Sequence, residues 1–160
     1  MSHPSLGLPP PDMTAGFPEA ARLLTQARDR VAARALELAI EADPTLRERY
    51  DEVGLRLLLR DAAGAVDELA KSLASADPSF VSEWADQVAP IYRRRRVPMD
   101  DLIGLAEGLR LATNSVVAPG ERGPIDAALD QAIVVFRKYR RLAGDARKRN
   151  RILQFIYKGA

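Results

Sequence analysis

The stretch Ile125-Asp-Ala-Ala-Leu129-Asp-Gln-Ala132-Ile-Val-Val-Phe136-Arg-Lys-Tyr139 decides the fold class. Its apolar residues Ile125, Leu129, Ala132, Phe136 and Tyr139 step alternately by four and by three. Such spacing lines up one face of a helix with about 3.6 residues per turn and cannot line up one face of a strand. Working outward, the same stepping returns in Leu102, Leu105, Leu109, Ala112 and Val116, and in Val81, Trp84, Val88 and Ile91. It returns again in Leu46, Tyr50, Val53 and Leu57, and in Leu24, Ala27, Val31, Ala35 and Leu38. Alternating strand-like runs and Asn-Gly hairpin signals are absent. The pattern predicts an all-α protein.

Proline and glycine punctuate these stripes. Asp43-Pro44, Asp77-Pro78 and Val97-Pro98 each stand just before an apolar-periodic stretch. Proline suits the first helical turn, where its missing N–H would go unpaired anyway, and an aspartate can cap the N–H groups beyond it. Helices are therefore predicted near 18–41, 45–60, 62–75, 78–95, 99–117, 124–142 and 146–158. Residues 1–16, with Pro4, Pro9, Pro10 and Pro11, read as a flexible arm. Residues 17–160 read as one domain, a bundle of about six to seven helices that is irregular rather than straight up-and-down.

Composition removes most catalytic machinery. The chain has 160 residues, is 47% hydrophobic and 29% charged, and contains no cysteine and one histidine, His3. That length buries one sizeable core. Thiolate metal sites, iron–sulfur clusters and cysteine nucleophiles need cysteine, and it has none. A haem globin needs a strong axial ligand on a helix, a di-iron bundle needs Glu-x-x-His, and a hydrolytic triad needs a histidine base. No helix supplies a histidine, so neither a cofactor nor an enzymatic reaction is expected. The carboxylate pairs have simpler roles: Asp126 and Asp130 read as a solvated face, and Asp100 and Asp101 as complements to a helix dipole. No apolar run approaches the roughly 18–20 residues of a membrane-spanning helix, and Met1 to Thr14 has no secretory pattern. The expected setting is cytoplasmic.

Several features invite binding rather than catalysis. Arg93 to Arg96 form an unbroken basic run where a helix ends, which the helix dipole is enough to explain and which could alternatively contact an anion. Residues 137–160 carry a net charge of +8 against −6 for the first 136. The basic end includes Arg147, Lys148, Arg149 and Arg151 beside Ile152, Leu153, Phe155, Ile156 and Tyr157. Docking of this helix on the acidic body is the favoured expectation; contact with an anionic membrane or nucleic acid is the alternative. Gly104 and Gly108, one turn apart, suggest a close helix crossing. Trp84, Val88, Leu105, Leu109 and Phe136 are the candidates to line an internal apolar pocket.

The segment Phe80-Val-Ser-Glu-Trp-Ala-Asp-Gln-Val-Ala-Pro-Ile-Tyr-Arg-Arg-Arg-Arg-Val-Pro-Met-Asp-Asp-Leu-Ile-Gly-Leu-Ala-Glu-Gly-Leu-Arg110 is also distinctive. A helix ends in arginines, a Val-Pro break follows, and the next helix opens with acids and Leu102. It resembles the amino-terminal sensor domains of stressosome-type co-antagonist regulators. That resemblance implies a haem-free globin-like fold and a non-catalytic regulatory sensor or protein-interaction module. It further implies a homodimer with a protein partner and a fatty-acid-like ligand in the helical core. In such proteins a signalling domain usually follows the sensor; with the sequence ending at Ala160, the expectation is output through a partner or a chain that is one part of something larger.

Overall fold

The computed structural model describes the backbone of residues 16–157 and the side chains of residues 16–142. The proposed arm up to residue 15 and the side chains of Arg147, Lys148, Arg149 and Arg151 lie outside the described residues. Among the described residues seven α-helices run α1 Pro18–Gln26, α2 Arg28–Ala42, α3 Leu46–Arg49, α4 Glu52–Ser75, α5 Ser79–Arg94, α6 Met99–Thr113 and α7 Gly123–Tyr157. A single 3-10 turn, Pro119–Glu121, precedes α7, and no strand occurs among the described residues. The protein is all-α.

Local chemistry sets most of the helix ends. Asp43 Oδ1 accepts from the Thr45 N–H at 3.1 Å, and Asp77 Oδ1 accepts from the Ser79 N–H at 2.9 Å. Both aspartates cap as their Asp-Pro context predicts. Four boundaries differ from the expectation. The first helix divides at Ala27, whose N–H is shared between the Leu23 and Leu24 carbonyls. The break expected near residue 61 is absent. It falls instead at Tyr50, whose φ of −122° and ψ of 133° are extended, and Asp51 then starts α4 by accepting from the Gly54 N–H at 2.7 Å. Asp61 stays inside α4 because its carboxylate is taken by Tyr92 and Arg60 rather than by backbone. α6 ends at Thr113, after which the chain closes in tight turns through Val117. α7 continues through the Gly144-Asp145 pair, where two helices were expected. A glycine within a helix costs only about 1 kcal/mol.

Packing closes a ring. α4 lies against α2, α2 against α6, α6 against α7, α7 against α5, and α5 back against α4, while α1 packs on α4. The ring encloses Val31, Val66, Leu69, Leu109, Leu129 and Phe136, all buried. α2 and α6 cross closely because Gly108 faces the Ala35 backbone: a Cβ at Gly108 would sit 2.3 Å from the Ala35 carbonyl oxygen. Gly104 has nothing within 4 Å of such a Cβ, so the close crossing involves only one of the two glycines. Arg110 joins α6 to α7 through Asp126 at 2.9 Å and Asp130 at 2.5 Å. Those two aspartates are solvent-accessible, as a solvated face requires, and also pair with Arg110 across the two helices. Among the described residues no helix is long and apolar enough to cross a membrane.

Candidate functional site

Four of the five residues expected to line a core pocket do converge. Trp84 from α5, Leu105 and Leu109 from α6 and Phe136 from α7 border one internal void, and Trp84 meets Phe136 edge-on with ring centroids 6.2 Å apart. Val88 is half-buried and does not line it. The void measures about 10 Å³, room for at most a single water molecule. An apolar ligand of fatty-acid size would enter only if α5, α6 and α7 parted.

The spacious concavity lies elsewhere, where the α3–α4 corner meets the α5–α6 corner. It is a cleft of about 430 Å³ lined by Arg49, Tyr50, Gly54, Leu57, Leu58, Tyr92 and the segment Arg95–Pro98. Its size falls in the lower part of the roughly 300–1,000 Å³ range of small-molecule sites. Each wall follows from local structure. Leu57 and Leu58 come from the second turn of α4, and the extended Tyr50 places its ring beside that turn. Gly54 keeps this arrangement possible, because a Cβ there would press on the Tyr50 ring at 3.1 Å.

The opposite wall is the end of α5. The Arg96 N–H donates to the Arg93 carbonyl at 3.0 Å and the Val97 N–H to the Tyr92 carbonyl at 3.0 Å, the paired bonds of a Schellman closure. That closure puts Arg96 at φ 61°, the left-handed conformation that normally selects glycine. Pro98 then starts α6. The basic run is thereby split. Arg93 lies over the Tyr139 ring at 5.9 Å, and Arg95 and Arg96 turn to the cleft.

Two carboxylate networks, one on buried Asp101 and one on half-buried Asp61, hold the walls. Asp101, buried at the start of α6, accepts from Arg49 Nη2 at 2.7 Å and from the Tyr50 hydroxyl at 2.5 Å. Arg49 also donates to Asp43 at 2.7 Å. These bonds, to Asp43 first and then to Asp101, raise its guanidinium above the ordinary arginine value. The Tyr92 hydroxyl donates to Asp61 across the α4–α5 interface. Burial, reinforced by the aspartate contact, raises both Tyr50 and Tyr92 well above the usual tyrosine value. Asp101 was expected to serve only the helix dipole, and it is instead the anchor of one wall.

Arg49 is therefore a cation already satisfied. Arg94, Arg95 and Arg96 are exposed and have no carboxylate partner among the described residues, and no carboxylate lines the cleft. Sequence reasoning missed this site because its walls come from three separate segments; only the arginine run gave a signal, which the dipole explained too readily. The metal-ligating residue types form no group of three or more among the described residues. No protein-family profile matches the chain, and no curated protein matches it in sequence.

Proposed function

We propose that this chain is a non-catalytic regulatory binding module that recognises an anionic group in the cleft between its α3–α4 and α5–α6 corners. The observation that carries the proposal is the placement of Arg95 and Arg96, unpartnered among the described residues, on the wall of a 430 Å³ cleft. Arg28, Arg34 and Arg110 meet carboxylates, whereas Arg95 and Arg96 make no ion pair among the described residues. Two adjacent unneutralised cations beside low-dielectric walls concentrate positive potential and attract anions.

The lining also supports binding over reaction. Arginine does not give up its proton near neutral pH, and Tyr50 and Tyr92 are held neutral with their hydroxyls committed to aspartates. The cleft can orient a ligand and cannot move a proton for it. An occupant would bridge α3, α4, α5 and the α5–α6 corner, so its affinity would favour the packing in which the α3–α4 corner is docked. The cytoplasmic, globin-like homodimer with a protein partner, implied by the stressosome-type resemblance, belongs to the same proposal.

Titration of isotope-labelled protein with inorganic pyrophosphate tests it. Amide shifts are expected to concentrate in residues 49–58 and 92–98 and to vanish in an Arg95→Ser/Arg96→Asn double variant. Shifts spread evenly over the basic surface, or undiminished in that variant, would overturn the proposal.

A further inference from the structure

The same cleft carries information about the body of its ligand as well as its charge. We infer that it takes a small amphipathic anion, a doubly charged phosphate-like head on Arg95 and Arg96 joined to a compact apolar body against Tyr50, Leu57, Leu58 and Pro98. The inference rests on the anion-binding proposal above. Two guanidiniums that make no ion pair among the described residues match two negative charges, whereas Arg49 already shares its charge with Asp43 and Asp101. Behind them the lining is leucine, valine, proline and tyrosine ring, a surface that rewards removal of apolar area from water and offers inorganic phosphate nothing. The cleft's volume suits a ligand of small-molecule size.

Backbone conformation supplies a variant that separates the side chain from the fold. Arg96 occupies the left-handed position that ends α5, where glycine is the least strained residue. Glycine there would relieve the strain, so Arg96→Gly removes the cation while favouring the fold. Ala76 ends α4 at φ 53° with the same strain and no side chain that could bind, so it provides the control.

The test compares calorimetric binding of 1-naphthyl phosphate, 1-naphthol and inorganic phosphate. Naphthyl phosphate is expected to bind at least about tenfold more tightly than inorganic phosphate, and naphthol to bind no better than phosphate. Arg96→Gly should raise Tm by about 2–4 °C while weakening naphthyl phosphate about tenfold or more. Ala76→Gly should raise Tm similarly and leave binding unchanged. Arg95→Ser, at an unstrained position, should lose binding with Tm unchanged, which keeps the test independent of backbone effects. Equal affinity for the two phosphates, with both lost in Arg95→Ser, would overturn the amphipathic inference and leave the anion site standing. Tighter binding to phosphatidylserine vesicles or a single-stranded oligonucleotide than to naphthyl phosphate would also overturn it, in favour of a macromolecular anion. Absence of binding by all of these would overturn both.

Discussion

Gly104 and Gly108 stand one turn apart on α6, yet a methyl group has opposite consequences at the two. At Gly108 it would collide with the Ala35 carbonyl, and backbone cannot swing aside as a long side chain can. α2 and α6 would have to separate, a strain of about 1–3 kcal/mol typical of overpacked interiors. At Gly104 the methyl enters open space and removes glycine's entropic penalty, a gain of about 0.5–1 kcal/mol. Urea midpoints at unchanged slope should therefore fall for Gly108→Ala and rise for Gly104→Ala. A neutral Gly108→Ala would mean that the two helices do not approach as described. The four-residue spacing alone advertised a close crossing. Which glycine makes it depends on the rotation of α6 about its own axis, and that is set by residues of α2 lying far away in the chain.

At the scale of the element, the helices were legible and the corners were not. A stripe such as Ile125 to Tyr139 acts within one segment, so its period alone declares the helix and the buried face. The α3–α4 corner depends on Arg49 and Asp101, 52 positions apart, and no local rule separates Asp101 from its neighbour Asp100. In the fold the two differ sharply. Asp100 is exposed and pairs with Arg140 at 2.6 Å, whereas the Asp101 side chain is only 5% accessible and holds both Arg49 and Tyr50. Asp101→Ala should accordingly cost roughly 1–3 kcal/mol, since it strands the half-buried Tyr50 hydroxyl and leaves Arg49 with Asp43 as its remaining carboxylate. Asp100→Ala should cost at most about 1 kcal/mol, as expected of an exposed ion pair. Hydrogen exchange would localise the loss, with amides of residues 46–51 opening more in Asp101→Ala than those of α6. Equal costs for the two aspartates would remove Asp101 as the anchor of the corner. The cleft was illegible for the same reason: the arginine run was visible in the chain, but the tyrosine and leucine wall facing it was not.

For the whole molecule, Tyr50 and Tyr92 are paired clasps that couple helix docking to alkaline pH. Tyr50 ties the α4 entrance to α6 through Asp101, and Tyr92 ties α5 to α4 through Asp61. Burial, then the aspartate contact, raises both hydroxyls above the usual tyrosine value of 10. Because the folded value is the higher one, the unfolded chain releases these protons first as pH climbs. Their stabilising contribution is thus complete below about pH 10 and is lost progressively above it. Melting temperature should drop steeply beyond that point, and a Tyr50→Phe/Tyr92→Phe double variant should show a shallower alkaline decline. Tyrosinate absorbance assigned by difference to these two residues should grow in step with loss of helical circular dichroism. Its appearance at the usual pH with the helices intact would show that neither hydroxyl is clasped. The cleft shares both tyrosines, so its walls come apart as these hydroxyls ionise. Affinity for naphthyl phosphate should then fall over the same interval as stability in the native chain, and less steeply in the double variant, where no hydroxyl remains to ionise.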